Sequence, residues 1–142
     1  MNIKIPYVNL SKQWNEEKKS LYPIIGEVLN SSEYVGGKHI LKFEKNIAKF
    51  CKTKYSASLN SGTDCLTIAM LVAGVKRGDE VITPPNSFIS STSSIVHLGA
   101  TPKFVDVLED QNIDPNKIEN AITDKTKAIM PVHLTGRISE MN

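Results

Sequence analysis

Apolar residues follow two rhythms along this chain, and the change comes near Lys54. Between 10 and 30, Leu10, Trp14, Leu21, Ile24, Ile25, Val28 and Leu29 recur at roughly helical spacing, which predicts an amphipathic helix. Pro23 lies within it, supplies no amide donor and crowds the preceding turn, so a kink or a fresh helix start is expected there. Turn residues at Ser31-Ser32 and Gly36-Gly37 follow. Ile40, Phe43, Ile47, Phe50 and Cys51 then mark one face of a second helix.

Beyond Lys54, short apolar runs at 55–59, 80–83, 103–107 and 127–132 alternate with helical stretches at 63–75, 87–98 and 114–122. Successive runs lie about 24 residues apart, room for one crossover helix each time, which predicts βαβ units and a mostly parallel sheet with flanking helices. Turn signals fall between the elements: Gly78-Asp79 before one strand, Gly99 and Pro102 before the next, and Asp114-Pro115 at a helix start. The stretch from Thr63 is apolar nearly all round (Leu66, Ile68, Ala69, Met70, Leu71, Val72), so a buried helix is expected. The fold class is α/β. Residues 136–142 read as the opening of another loop and helix, so the sheet is expected to continue past Asn142.

Composition narrows the function classes. The 142 residues are 40% hydrophobic and 23% charged, as in soluble globular proteins. The net charge of +2 arises from scattered lysines nearly matched by acids, with no basic stripe that would suit nucleic acid. The longest apolar stretch, 66–75, is too short to span a bilayer, so no membrane role is expected. Cys51 and Cys65 stand alone in helical patterns, which predicts small buried hydrophobes in a reducing cytoplasm, with no metal site.

Two loops carry candidate chemistry. Asn60-Ser61-Gly62-Thr63-Asp64 joins an expected strand to an expected helix. A glycine there permits positive φ or close backbone approach, hydroxyls cap the helix or bond a ligand, and the free amides of the first turn suit a phosphate. An ordinary strand–turn–helix cap has the same pattern. The nucleotide-binding patterns G-x-x-x-x-G-K-[ST] and G-x-G-x-x-G are absent. The second loop, Thr83-Pro84-Pro85-Asn86-Ser87-Phe88, follows the next strand, at the sheet edge where α/β proteins gather ligands. Asn86 or Ser87 can cap the following helix. Phe88 on its first turn can cover a flat ligand, although a core phenylalanine fits as well.

These loops, with Gly99-Ala100, Phe104-Val105-Asp106-Val107, Asn112-Ile113-Asp114-Pro115, Thr126-Lys127-Ala128-Ile129 and Pro131-Val132-His133-Leu134, resemble the DegT/DnrJ/EryC1/StrS aminotransferases. Tyr34-Val35-Gly36-Gly37 and Phe43-Glu44 extend the resemblance upstream, so that it covers nearly the whole chain from about Pro6. It implies a fold-type I enzyme that uses pyridoxal 5'-phosphate (PLP). The expected activity is transfer of an amino group, from an amino-acid donor such as glutamate, to a nucleotide-activated keto-sugar for polysaccharide or glycan precursors, in a homodimer. By resemblance, the turn at Gly62, Thr63 and Asp64 holds the cofactor phosphate and Phe88 stacks on its ring. Residues 1–54 would form an N-terminal helical segment and 55–142 the start of the PLP-binding large domain, with the rest of that domain and a small domain lying beyond.

The family's Schiff-base lysine and the acidic partner of its pyridine nitrogen have no counterpart among these residues, so no catalytic residue is assigned. Lys125 and Lys127 read as surface residues and His133 as a structural loop histidine. The resemblance also leaves open a sugar dehydratase, in which histidine replaces the lysine, and a non-catalytic or regulatory relative.

Overall fold

The computed structural model describes residues 5–141; residues 1–4 of the expected N-terminal segment and Asn142 lie outside them. The chain divides into two compact units, one up to Ser58 and one from Leu59 onward.

The first unit holds helices α1 (Leu10–Ser31) and α2 (Lys38–Phe50). Asn9 caps α1 by accepting a hydrogen bond from the Lys12 amide, and Ser32 ends it in the left-handed conformation. Of the two outcomes expected at Pro23, a fresh helix start is not observed: α1 continues through it on an exposed stretch. There a carbonyl that loses its helical donor can turn to water instead. Trp14 and Tyr22 meet edge to face, 5.3 Å between ring centres. Lys38 pairs with Glu27, which raises the lysine pKa and lowers that of the carboxyl, each through the hydrogen bond first and the opposite charge second. Glu44 accepts a hydrogen bond from the Ser58 amide at 2.7 Å. α1 buries no residue, and Ala48 is the one buried residue of α2.

The second unit is α/β. It runs α3 (Gly62–Val72), β1 (Glu80–Thr83), α4 (Ile89–His97), β2 (Thr101–Phe104), α5 (Pro115–Ala121) and β3 (Thr126–Ile129). β1 lies in the middle of a three-stranded sheet of order β2-β1-β3 and pairs in parallel with both neighbours. Right-handed crossovers that leave β1 in one direction and return past it in the other must place their helices on opposite faces. The cores follow that rule. Val81 packs with Met70, Val75, Ile95 and Ala100, on the α3 and α4 side. Its neighbour Ile82 packs with Val105, Ile113, Ile118 and Ala121, on the α5 side. Successive side chains of one strand thus serve two layers.

Gly78 (φ +90°) and Gly99 (φ +73°) make the left-handed turns that lead into β1 and β2. A Cβ at Gly99 would lie 3.2 Å from Arg77 Cβ, so the close approach as well as the backbone angle calls for glycine. Asp114 caps α5, accepting from the Asn116 amide, with Pro115 in the first turn.

Three expectations are corrected. The run at 55–59 forms no strand: a strand needs a ladder partner, and no strand among the described residues pairs with it. α3 is not buried all round. Met70 alone is buried, while Ile68, Leu71 and Val72 are exposed, because only one side of the helix meets α4 and the sheet. Cys51 and Cys65 are both exposed free thiols rather than buried ones. The first ends α2 and the second lies on the outer side of α3. The tail after β3 forms a 3-10 turn at Leu134–Gly136 and no further helix among the described residues.

The outer edge of β3 has no strand partner among the described residues, and Ile122 and Ile129 are exposed at 52% and 45%. Such an edge templates pairing with other chains. The 142-residue chain alone is therefore expected to self-associate in size-exclusion chromatography and to melt broadly in denaturant. A monodisperse monomer with one sharp transition would contradict this.

Candidate functional site

The order β2-β1-β3 makes the carboxyl end of β1 the point where the chain's connections diverge, the usual place for a ligand crevice in an α/β sheet. Thr83, fully buried, ends β1 and donates from Oγ1 to the Met130 carbonyl (3.0 Å), tying this end to the residue after β3. Buried Pro84 then ends the strand, since proline cannot supply the next ladder amide.

α3 and α4 both begin at this edge. The first intrahelical bond of α3 runs from the Cys65 amide to the Ser61 carbonyl at 3.1 Å. The amides of Gly62, Thr63 and Asp64 therefore have no partner inside the helix. Ser61 Oγ takes the Asp64 amide (3.1 Å) and donates to the Asp64 carboxylate (3.0 Å). Asp64 is thus part of the cap, and its charge suits a helix N-terminus. Gly62 is a first-turn residue and does not use positive φ. The feature that matters is its missing side chain: a Cβ there would meet nothing within 4 Å, so the backbone at this point borders open space. Thr63 Oγ1 lies 2.7 Å from Ser90 Oγ of α4.

The second loop differs from expectation at its cap. Phe88 occupies the N-cap position of α4 (φ −62°, ψ 144°), and no side chain caps the helix. Asn86 is drawn away, donating from Nδ2 to the Gln111 carbonyl (3.0 Å), and Ser87 Oγ bonds Ser91 Oγ (2.7 Å). In the first turn of α4 the Ser91 amide donates to the Phe88 carbonyl (3.0 Å), while those of Ile89 and Ser90 have no partner inside the helix. Phe88 is 76% exposed, so it is no core residue and its ring is free to cover a ligand. The Thr63–Ser90 contact brings the Gly62-Thr63-Asp64 turn and the start of the helix that follows Phe88 to one place. Ser90 was not singled out by sequence. The hydroxyl-rich run 90–94 in a helix that also packs Ile95 into the core was its signal.

Other residues at this edge are structural. Asn112, 1% exposed, donates to the Arg137 carbonyl (3.3 Å) and accepts from the Leu134 amide (3.2 Å), holding the loop after β3 against the loop after β2. His133 Nδ1 accepts from the Ser139 amide at 3.1 Å, the role of a structural loop histidine. Asp106 accepts from the Val107 amide and from Lys117, which holds its carboxyl below the usual aspartate value. Lys125 and Lys127 are exposed at the amino end of β3, the opposite end from the loops that carry Gly62 and Phe88.

The family model of the DegT/DnrJ/EryC1/StrS aminotransferase family matches residues 15–142. A pleiotropic regulatory protein of Geobacillus stearothermophilus is 39% identical over 98% of this chain and 38% of its own length. The dTDP-3-amino-3,4,6-trideoxy-alpha-D-glucose transaminase of Streptomyces venezuelae is 36% identical over 98% of this chain and 37% of its own. Among solved structures, NtdA of Bacillus subtilis with bound cofactor PMP superposes with a TM-score of 0.93 at 36% identity, over 99% of this chain and 33% of that one. The chain therefore spans about two fifths or less of the length of the proteins it resembles. With the match extending over nearly all its residues, the chain belongs to the DegT/DnrJ/EryC1/StrS aminotransferase family.

Proposed function

We propose that this chain supplies the phosphate-holding and ring-covering side of a PLP site. The enzyme would move an amino group from an amino-acid donor, glutamate in this reading, to a nucleotide-activated keto-sugar. The observation that carries it is the Thr63–Ser90 contact, which joins the starts of two helices, with open space at the Gly62 backbone and an exposed Phe88 at the N-cap of α4. Bare amides and hydroxyls fit a phosphate, and a free aromatic face fits a flat heteroaromatic ring. The name of the Streptomyces relative, a transaminase of a dTDP-linked sugar, and the PMP in the Bacillus structure support the same reading.

In this arrangement the amides of Gly62 and Thr63 and the Thr63 hydroxyl hold the phosphate. Asp64 acts through its cap with Ser61, because its carboxylate would repel a phosphate and its amide is already bonded. Phe88 covers the ring and keeps water from one face. The bound cofactor supplies an electron sink for the amino-group exchange. The site is completed by a lysine outside these residues and by a second subunit, in a soluble homodimer. One observation favours a second reading, a regulatory relative without turnover: the Geobacillus relative is named a pleiotropic regulatory protein.

Calorimetric titration of the protein, as its gene encodes it, with PMP and with pyridoxamine tests the aromatic role without any covalent bond to lysine. Phe88→Ala is expected to weaken both ligands by about threefold to tenfold, the ~0.5–1.5 kcal/mol of an aromatic stack. Unchanged affinities would remove Phe88 from the site. The 142-residue chain treated with PLP and borohydride is expected to give no stoichiometric adduct at one lysine, and no turnover of a keto-sugar with glutamate. Specific labelling of Lys125 or Lys127 would refute this.

A further inference from the structure

α4 carries more hydroxyls than a helix interior favours, since serine and threonine compete for backbone hydrogen bonds. Most of the buried ones are satisfied locally. Ser94 Oγ donates to the carbonyls of Ser90 (2.7 Å) and Ser91 (3.2 Å), and Ser91 Oγ shares a hydrogen bond with Ser87 Oγ (2.7 Å). Ser90 differs. Its hydroxyl, on a residue only 9% exposed, leaves its own helix and meets Thr63 Oγ1 at 2.7 Å.

Two hydroxyls have two protons between them, and one of these occupies their mutual hydrogen bond. The other remains to be donated, at the start of two helices whose first amides lack intrahelical partners. Thr63 is the second residue of α3, so its hydroxyl has no helical carbonyl one turn back to bond. The contact with Ser90 holds Thr63 Oγ1 toward α4 instead.

We propose that Ser90 is a positioning residue for the anion cradle. It fixes the Thr63 rotamer, so that the hydroxyl pair presents its spare proton to a phosphate monoester beside the amides of Gly62 and Thr63. This deepens the reading of the site given above and rests on it.

The test uses PMP and pyridoxamine, which share a ring and an amine and differ only in the phosphate. Both are titrated calorimetrically into the protein as its gene encodes it. The wild type should bind PMP far more tightly than pyridoxamine. Ser90→Ala should weaken PMP by about threefold to tenfold, the worth of one hydrogen bond, and leave pyridoxamine unchanged. Ser90→Thr, which keeps the hydroxyl, should recover most of the loss. Equal weakening of both ligands would mark Ser90 as a packing residue and overturn the proposal, as would unchanged affinities. A wild type that binds the two ligands alike would instead overturn the phosphate cradle itself, and the role of Ser90 with it.

Discussion

The second unit depends on β1 being paired along both edges and covered on both faces. Val81, Ile82 and Thr83 are all fully buried, although β1 is only four residues long. A buried strand must have every backbone donor and acceptor matched, and β2 and β3 do this in parallel register, with one irregularity between Glu80 and Val81. Because the two neighbours lie on opposite sides, α4 and α5 are sent to opposite faces. The same circumstance leaves a gap between connections at the carboxyl end of β1. The two-sided core and the divergence of the connections at that end therefore have one cause.

Polar side chains then join the loops at that end. Thr83 reaches the Met130 carbonyl, Asn86 reaches Gln111, and Asn112 holds both Leu134 and Arg137. Gln111 sits at φ +72°, a conformation disfavoured for a residue with a Cβ, and its carbonyl accepts from Asn86. Asn112 is the buried amide of this network, and leaving it unmatched in the interior would be costly. This network keeps Asn86 away from the start of α4, which is why that helix is uncapped.

The sequence showed the α/β alternation clearly because the strand runs are short and apolar with turn residues between them, and three of the four expected runs were located to within a few residues. β2 starts two residues before its expected position, since Thr101 and Pro102, which read as part of the turn in the sequence, join the ladder. The strand expected at 55–59 failed because apolar spacing reports the preference of a segment and not whether a partner stands beside it. The burial expected for α3 failed for a related reason: its composition is apolar all round, but only one side meets the sheet. Within the candidate site, Gly62, Thr63, Asp64 and Phe88 were singled out through family resemblance, and their phosphate and ring roles belong to the proposed function. Which groups bond which was not legible. Ser61 rather than Thr63 makes the cap, Phe88 itself stands at the N-cap of α4, and Ser90 enters only through packing of one helix on the other.

The two helix starts at the site are built unequally, and the inequality bears on function. α3 is capped by Ser61 with an acidic residue in its first turn, so its terminus is stable without help. α4 has no side-chain cap and no acidic residue in its first turn, although a suitable cap is commonly worth about 0.5–2 kcal/mol. Asn86 and Ser87, both good capping residues, lie just ahead of the helix and are engaged elsewhere. On the proposed reading the phosphate is held by the Gly62 and Thr63 amides of α3, and the Thr63–Ser90 contact links that turn to the uncapped start of α4. A ligand bound at the capped helix would then also steady the uncapped one, through a single pair of hydroxyls.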